Sequence, residues 1–232
     1  MGALANLGYT VSDQTVGNIL KRHGMTPASE RKTTTTWKEF IRMHLDVLVA
    51  TDFFTADVWT LGGLVTYYVL FFIRLGTREV HVGGVTPHPD HAWMMQMARN
   101  VTMEAWGFLT PGQYLIHDRD GKYCPAFQHI IDAAGIKRVP LPARSPNLNA
   151  YAERWVRSVK EECLARVILF GEAALCRALN EYGKHYHYER NHQGKGNVLL
   201  FPTGNQDAER AGPLQCRERL GGLLKYYTCE AA

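Results

Sequence analysis

The order of the sequence patterns constrains the fold of this chain more than any other feature. Three strand-like runs come first, LDVLVATDFF (45–54), VTYYVLFFI (65–73) and REVHVGGVT (78–86), each bounded by Gly, Thr or Pro. A helical stretch from Asp90 to Trp106 follows, then the strand QYLIHD, the helix PAFQHIIDAAG, the strand IKRVPLP, and two or three helices between Asn149 and His187. This order predicts an α/β protein with a five-stranded mixed sheet and helices on both faces.

Apolar residues in two of these stretches predict the core. Residues 61–73 form the most apolar run, which is too short to span a membrane and too rich in aromatic and β-branched residues for a helix. We therefore interpret it as a buried strand. In the helix after Asp90, one side is formed by Trp93, Met94, Met97, Ala98 and Val101, and a stripe of this kind indicates a core-facing helix.

The composition is that of an ordinary globular protein. The 232 residues are 46% hydrophobic and 21% charged, which is enough for one large domain and a small additional segment. The formal net charge of +4 is compatible with a nucleic-acid partner without requiring one. The five cysteines are scattered and never form a CxxC pair, which predicts reduced thiols and a cytoplasmic location.

Residues 1–36 form a separate N-terminal segment in the sequence. Ser12 is a good N-cap for a helix from about Asp13 to His23, and the run ERKTTTTWK after it is typical of a basic linker. Only a few residues precede Ser12, so we predict a partial helix-turn-helix segment. Its helix would either contact the DNA major groove or pack on the core.

Three acidic residues occupy settings that suit metal-dependent phosphodiester chemistry. Asp52 and Asp118 end strand-like runs, and Glu153 lies early in a helix that starts near Asn149. Two divalent ions bound by such carboxylates can activate an attacking oxygen and stabilise a leaving one, and Mg²⁺ and Mn²⁺ prefer carboxylate ligands. Asp46 shares the alternation of Asp52, and Asp120 competes with Asp118, so both remain alternatives.

The helix that carries Glu153 also presents two cations. Glu153, Arg157 and Lys160 fall at positions i, i+4 and i+7, which places them on one face. Such a face suits contact with DNA phosphates. His117, next to Asp118, either approaches the metals or is an ordinary strand-end histidine.

Together these motifs resemble the catalytic core of retroviral integrases and of DDE transposases from bacterial insertion sequences. The resemblance covers residues 37–205 and implies a ribonuclease H-like fold. Asp52 matches the family's first aspartate. Asp118 matches the second, with Tyr123 as the expected aromatic five residues later, and Glu153 matches the glutamate. Asp120 stands where a glycine is commoner.

Further positions match the family outside the three acidic motifs. Lys160 matches a DNA-contacting lysine of the family. Arg190 and His192 match a pair that flanks a proline, here Asn191, and either contacts DNA or supports the structure. Arg74 stands where relatives often carry an acidic residue.

The resemblance implies a DNA integration or transposition enzyme. It would use two Mg²⁺ or Mn²⁺ ions, held by Asp52, Asp118 and Glu153, to join a 3′-hydroxyl to double-stranded DNA. It would act as a homo-multimer in the bacterial cytosol, with 37–205 as its core and 206–232 as a tail. A ribonuclease H-like nuclease, or an inactive remnant that only binds DNA, are the alternatives.

Overall fold

The computed structural model describes residues 12–23, 36–142, 146–202 and 213–229. The chain divides into two compact units, Met1–Phe40 and Ile41–Ala232. In the first unit, helix α1 (Asp13–Arg22) is capped by the Ser12 hydroxyl, which accepts from the Thr15 amide, so the predicted helix and its cap are confirmed. Its predicted contact with the major groove stays a prediction.

A second helix, α2 (Trp37–His44), begins with a capping box. The Thr36 hydroxyl accepts from the Glu39 amide at 3.3 Å, and the Glu39 carboxylate accepts from the Thr36 amide at 3.0 Å. The sequence contains this Thr-x-x-Glu signal, but the polar run before it obscured the helix in the sequence analysis.

The second unit is built on a mixed sheet of five strands in the order β3-β2-β1-β4-β5. Strand β2 (Gly63–Arg74) pairs antiparallel with β1 (Leu48–Thr60) on one side and with β3 (Val80–Thr86) on the other. Strands β4 (Tyr114–His117) and β5 (Lys137–Pro140) extend the sheet in parallel from β1. This arrangement confirms the predicted ribonuclease H-like fold.

Helices cover both faces of the sheet, as predicted. On one face lie α3 (His91–Val101) and α4 (Pro125–Ala133), and the core there includes Val49, Leu70, Phe72, Met94, Phe127 and Ile131. On the other face lie α5 (Ala150–Glu162) and α6 (Gly171–Tyr188). Four residues of the predicted α3 stripe are buried, and Trp93 packs against this core. Helix α3 ends at Val101, so Trp106 lies outside it and is exposed.

The predicted position of Asp52 at the end of its strand is wrong. Asp52 lies well inside β1, opposite Phe71 of β2, and the strand continues to Thr60. The reason is the alternation from Phe54 to Trp59, in which every second residue is buried, so that the two strands form one long hairpin.

Part of the segment predicted to be a tail, 206–232, forms a second sheet. Strands β6 (Leu214–Arg219) and β7 (Leu224–Cys229) form an antiparallel hairpin whose turn contains Gly221 and Gly222 at positive φ. The Arg219 guanidinium binds both oxygens of Glu189, at 2.6 and 2.8 Å, and also one oxygen of Glu181 at 2.7 Å. These bonds attach the hairpin to α6 and to the residue that follows it.

None of the helices in the described part of the chain combines the length and apolar character needed to cross a membrane. All five cysteines are free thiols.

We expect Arg219→Met to lower the free energy of unfolding by about 3 kcal/mol, measured by urea denaturation. The side chain of Glu189 is 2% exposed, and removing its bidentate partner leaves a buried charge with too few donors. Arg177→Met is the matched control, because Arg177 is an exposed α6 residue without an acidic partner in the described segments. A similar loss in both variants would contradict this role of Arg219.

Candidate active site

Parallel pairing of β1 with β4 brings two of the predicted aspartates side by side. Ala50 of β1 is paired with Ile116 of β4. Two residues farther along the chain in each case are Asp52, within β1, and Asp118, the first residue after β4, so the parallel register places them beside each other. Asp46, the alternative to Asp52, is exposed in the turn before β1 and lies beside Gly76, outside this pair of strands.

Asp52 lies in an environment that opposes its negative charge. Burial and the carboxylates of Asp118, Glu153 and Asp120 raise its pKa to about 6, against the lowering effect of a hydrogen bond from the Phe53 amide. That amide donates to the Asp52 carboxylate at 2.7 Å. All three predicted site carboxylates therefore interact electrostatically, with Asp52 the most buried of them.

Asp120 belongs to the turn after β4. Its carboxylate accepts from the Lys122 amide at 2.9 Å and pairs with the Lys122 ammonium at 2.5 Å. Burial acts to raise the pKa of Asp120, but these contacts lower it overall. The Asp118 carboxylate in turn accepts from the Asp120 amide at 3.1 Å and is otherwise exposed. These contacts favour a turn role for Asp120 and leave Asp118 open to solvent.

Helix α5 is held over the Asp52 face of the sheet by Trp155. The Trp155 ring lies 4.4 Å from that of Phe71 and 5.6 Å from that of Phe54, which is two residues beyond Asp52. Glu153 is exposed in the first turn of this helix. At the other end of α5, the Lys160 ammonium lies 5.9 Å from the Phe54 ring centre. Glu153, Arg157 and Lys160 are all exposed, as expected for one solvent-facing side.

Tyr123, five residues after Asp118, contacts the strand residue that precedes Asp52. Tyr123 is buried, and its hydroxyl lies 3.5 Å from that of Thr51, the residue before Asp52. The His117 ring packs on Tyr123 at 5.0 Å, and its Nδ1–H donates to the Asp118 carbonyl at 2.6 Å. Burial lowers the pKa of His117. A buried ring with this packing agrees with the strand-end interpretation of His117.

Asn149, predicted only as the start of a helix, contacts the residue before Asp52. Its amide nitrogen donates to the Thr51 carbonyl at 3.5 Å, and its buried Oδ1 has no partner among the described residues. Asn149 thus connects the start of α5 with the strand residue before Asp52. Its spacing of four residues before Glu153 was visible in the sequence, but its proximity to Thr51 required the fold.

The carboxylates fit a hard divalent cation in charge and donor type. Among the described residues, no three His, Cys, Asp or Glu side chains are close enough together to bind a metal ion as they stand. However, Asp52 lies within the electrostatic influence of three other carboxylates, and a bound cation would relieve this repulsion. Carboxylate oxygens are also the ligands that Mg²⁺ and Mn²⁺ prefer.

Arg190 and His192 are held by contacts within the protein. Arg190 makes a bidentate ion pair with Glu162, at 2.6 and 2.8 Å. His192 is buried, and its Nε2 lies 2.8 Å from the Tyr186 carbonyl. These contacts agree with the supporting role that the sequence left open, and the DNA contacts of both residues stay predictions. Arg74 is likewise paired, with Glu79, and it donates to the Phe108 carbonyl.

Residues 134–198 match a protein-family model described as Integrase core domain. The chain contains an integrase-like core. The matched segment begins at the end of α4 and includes β5, α5 and α6, and therefore Glu153 and Lys160. Asp52 and Asp118 lie outside the matched segment.

The solved structures that are similar to the chain include three integrase or intasome structures, all at low identity. The catalytic core domain of BIV integrase is 14% identical with a TM-score of 0.45, covering 67% of this chain and 91% of that one. A simian T-cell lymphotropic virus intasome, in complex with PP2A regulatory subunit B56 gamma, is 10% identical with a TM-score of 0.48, covering 90% and 86%.

The third structure is the HTLV-2 integrase catalytic core domain in complex with magnesium, in a dimeric form. It is 10% identical with a TM-score of 0.42, and the match covers 61% of this chain and 86% of that one. No curated protein matches the chain in sequence. At these identities and scores, the structural likenesses support no conclusion about activity or partners.

We expect Asp52→Asn to stabilise the metal-free protein by on the order of 2 kcal/mol above about pH 7. The pKa of Asp52 is about 6 when folded, against an ordinary value of 3.8, so its ionisation opposes folding as the pH rises through this range. Below about pH 3 the acid is protonated in both states, and the gain should disappear.

Urea denaturation with a chelator, at one pH on each side of this window, measures the effect. Asp46→Asn is the matched control, because Asp46 is exposed in the turn before β1. If Asp52→Asn were neutral or destabilising at the higher pH, the cost of ionising Asp52 in the fold, set by its burial and the neighbouring carboxylates, would be refuted.

Proposed function

We propose that this protein is a DNA strand-transfer enzyme of the integrase and DDE transposase type. The observation that carries the proposal is the placement of Asp52 on β1 beside Asp118, which directly follows β4, together with the electrostatic effect of Glu153, on the packed helix α5, on the Asp52 carboxylate. The match of residues 134–198 to an integrase core supports it. The substrate would be double-stranded DNA, both as the element ends and as the target.

In this proposal Asp52, Asp118 and Glu153 hold two Mg²⁺ or Mn²⁺ ions. Bound ions of this kind would activate the attacking 3′-hydroxyl oxygen and stabilise the oxygen that leaves phosphorus. Tyr123 packs beside Thr51 of β1, and Trp155 of α5 packs on Phe71 of β2. These contacts would fix β1 and α5, the elements that carry Asp52 and Glu153. Such support sets the geometry on which metal binding depends.

The exposed side of α5 would position the DNA. Arg157 and Lys160 follow Glu153 along this side, so a phosphate backbone that reaches the metal site would pass both cations. The proposed enzyme would act as a homo-multimer, because two element ends must be joined to the target by the same assembly.

Strand joining is the measurement that tests this function. The purified chain would be mixed with Mn²⁺ and labelled oligonucleotides made from the DNA that flanks its gene. We expect Glu153→Gln to reduce joining by more than about 100-fold, since losing even an outer partner of a metal ligand costs about 10- to 100-fold. Glu161→Gln is the matched control, because Glu161 is an exposed carboxylate on the same helix.

The products separate the alternatives. Joined products that require Glu153 but not Glu161 support the proposal. Cleavage without joining would favour the ribonuclease H-like nuclease. DNA binding with neither reaction would favour an inactive remnant.

We expect Lys160→Gln to weaken DNA binding to the same degree for unrelated sequences. A lysine that neutralises one phosphate releases counterions, so its loss should lower the slope of log affinity against log salt by about 0.9. Fluorescence anisotropy with a labelled duplex measures this slope, and Arg177→Gln on α6 is the control. An unchanged slope would remove Lys160 from the DNA-binding surface.

A further inference from the structure

Two turns meet near the start of α5, the helix that carries Glu153. The first turn connects β2 and β3 and includes Gly76 and Arg78, and the second is the short 3₁₀ helix Gln193–Lys195. The Lys195 ammonium donates to the Gly76 carbonyl at 2.6 Å, which holds the two turns together. Arg154, on the first turns of α5, reaches the same place.

Two guanidinium groups border one small space above Gly194. A methyl group at Gly194 would lie 3.4 Å from Nη1 of Arg154, and 3.8 and 3.9 Å from Nη2 and Nη1 of Arg78. The missing side chain at Gly194 therefore leaves room next to both arginines.

Neither arginine is neutralised within the described part of the chain. Arg190 and Arg219 are each held by a bidentate carboxylate, whereas Arg78 and Arg154 have no ion pair in the described segments. Two positive charges that face one space repel each other, and an anion between them would remove this cost.

Arg78 is held in place at a conformational cost. Its φ of 65° lies in the left-handed region, which costs a residue other than glycine of order 1 kcal/mol or more. Its Nε is buried without a partner in the described residues, and its guanidinium lies 4.7 Å from the centre of the Tyr151 ring. The backbone N–H of Arg78 donates to the Arg74 carbonyl at 2.9 Å, so the turn fixes the position from which this guanidinium projects.

We propose that Arg78 and Arg154 form a clamp that binds one phosphate of the DNA backbone over Gly194. Guanidinium groups bind phosphate through paired N–H···O bonds, which makes two facing arginines a strong phosphate site. Arg154 directly follows Glu153 on α5, so the held phosphate would lie beside the helix that carries the proposed metal-binding glutamate.

The clamp rests on the proposed function, because it takes DNA as the source of the phosphate. It adds a contact on the side of α5 next to the one that carries Arg157 and Lys160. The DNA would thus be held from two sides of the helix that bears Glu153.

A double-mutant cycle on DNA binding tests the clamp. Affinity of the full chain for a short labelled duplex would be measured by anisotropy at several salt concentrations, with EDTA present so that metal binding plays no part. We expect Arg78→Gln and Arg154→Gln each to weaken binding by about tenfold. The double variant should be little weaker than either, with its salt slope lowered by about 0.9, because both arginines serve one phosphate.

Two matched variants control for charge and folding. Arg99→Gln removes an exposed arginine from α3, on the opposite face of the sheet, and should leave affinity unchanged. Arg154→Lys keeps the charge without the planar fork, so it should restore the salt slope but not the affinity. Circular dichroism would check folding, and exposed Arg154 keeps the test valid if Arg78 variants do not fold.

The outcomes separate the clamp from the proposed function. Multiplying losses in the double variant would mean two independent contacts and would overturn the single-phosphate clamp, as would affinities unchanged by either substitution. Stabilisation by inorganic phosphate equal to that by duplex would make this a small-anion site and overturn the DNA assignment. If the wild type joins strands and the Arg78 and Arg154 variants bind DNA as tightly as it does, the proposed function would be supported and the clamp overturned. Arginine-dependent binding without joining would leave the clamp standing without the function.

Discussion

The pairing of β1 with β4 is the constraint on which the candidate site depends. It is the point where the antiparallel hairpin of β1 and β2 meets the parallel half of the sheet. Because the pairing fixes the register, Asp52 and Asp118 lie side by side although many residues separate them in sequence. Tyr123 and Asn149 reinforce the same place by contacting Thr51 from opposite sides of the sheet.

Charge is distributed unevenly around this point. Burial raises the pKa of Asp52, and the neighbouring carboxylates of Asp118, Glu153 and Asp120 raise it further. Cations surround them in two groups with different roles. Arg190 and Arg219 are paired with carboxylates and hold the helices and the C-terminal hairpin together, while Arg78, Arg154, Arg157 and Lys160 have no acidic partner in the described segments. The basic residues that hold the fold together are therefore distinct from those without an acidic partner in the described segments.

Much of the fold followed from local patterns. The strands from Gly63 to Thr86, the amphipathic helices α3 and α5, and the Ser12 cap were predicted because period-2 and period-3.6 patterns and capping residues act over a few neighbours. The β6–β7 hairpin was not predicted, because its attachment depends on Arg219 meeting Glu189 from a distant part of the chain. The extension of β1 past Asp52 was missed because a strand's length depends on its partner, here β2.

By itself, the sequence determined the element order, the apolar stripes and the three acidic motifs, since each is encoded in residues close together along the chain. Only the tertiary structure decided between roles that local sequence leaves open. Asp46 and Asp52 share an alternation, but β1 begins between them, and Asp52 meets Asp118 only because β1 pairs with β4. Arg78 and Arg154 lie far apart in sequence, and their meeting over Gly194 exists only because α5 and two turns pack together.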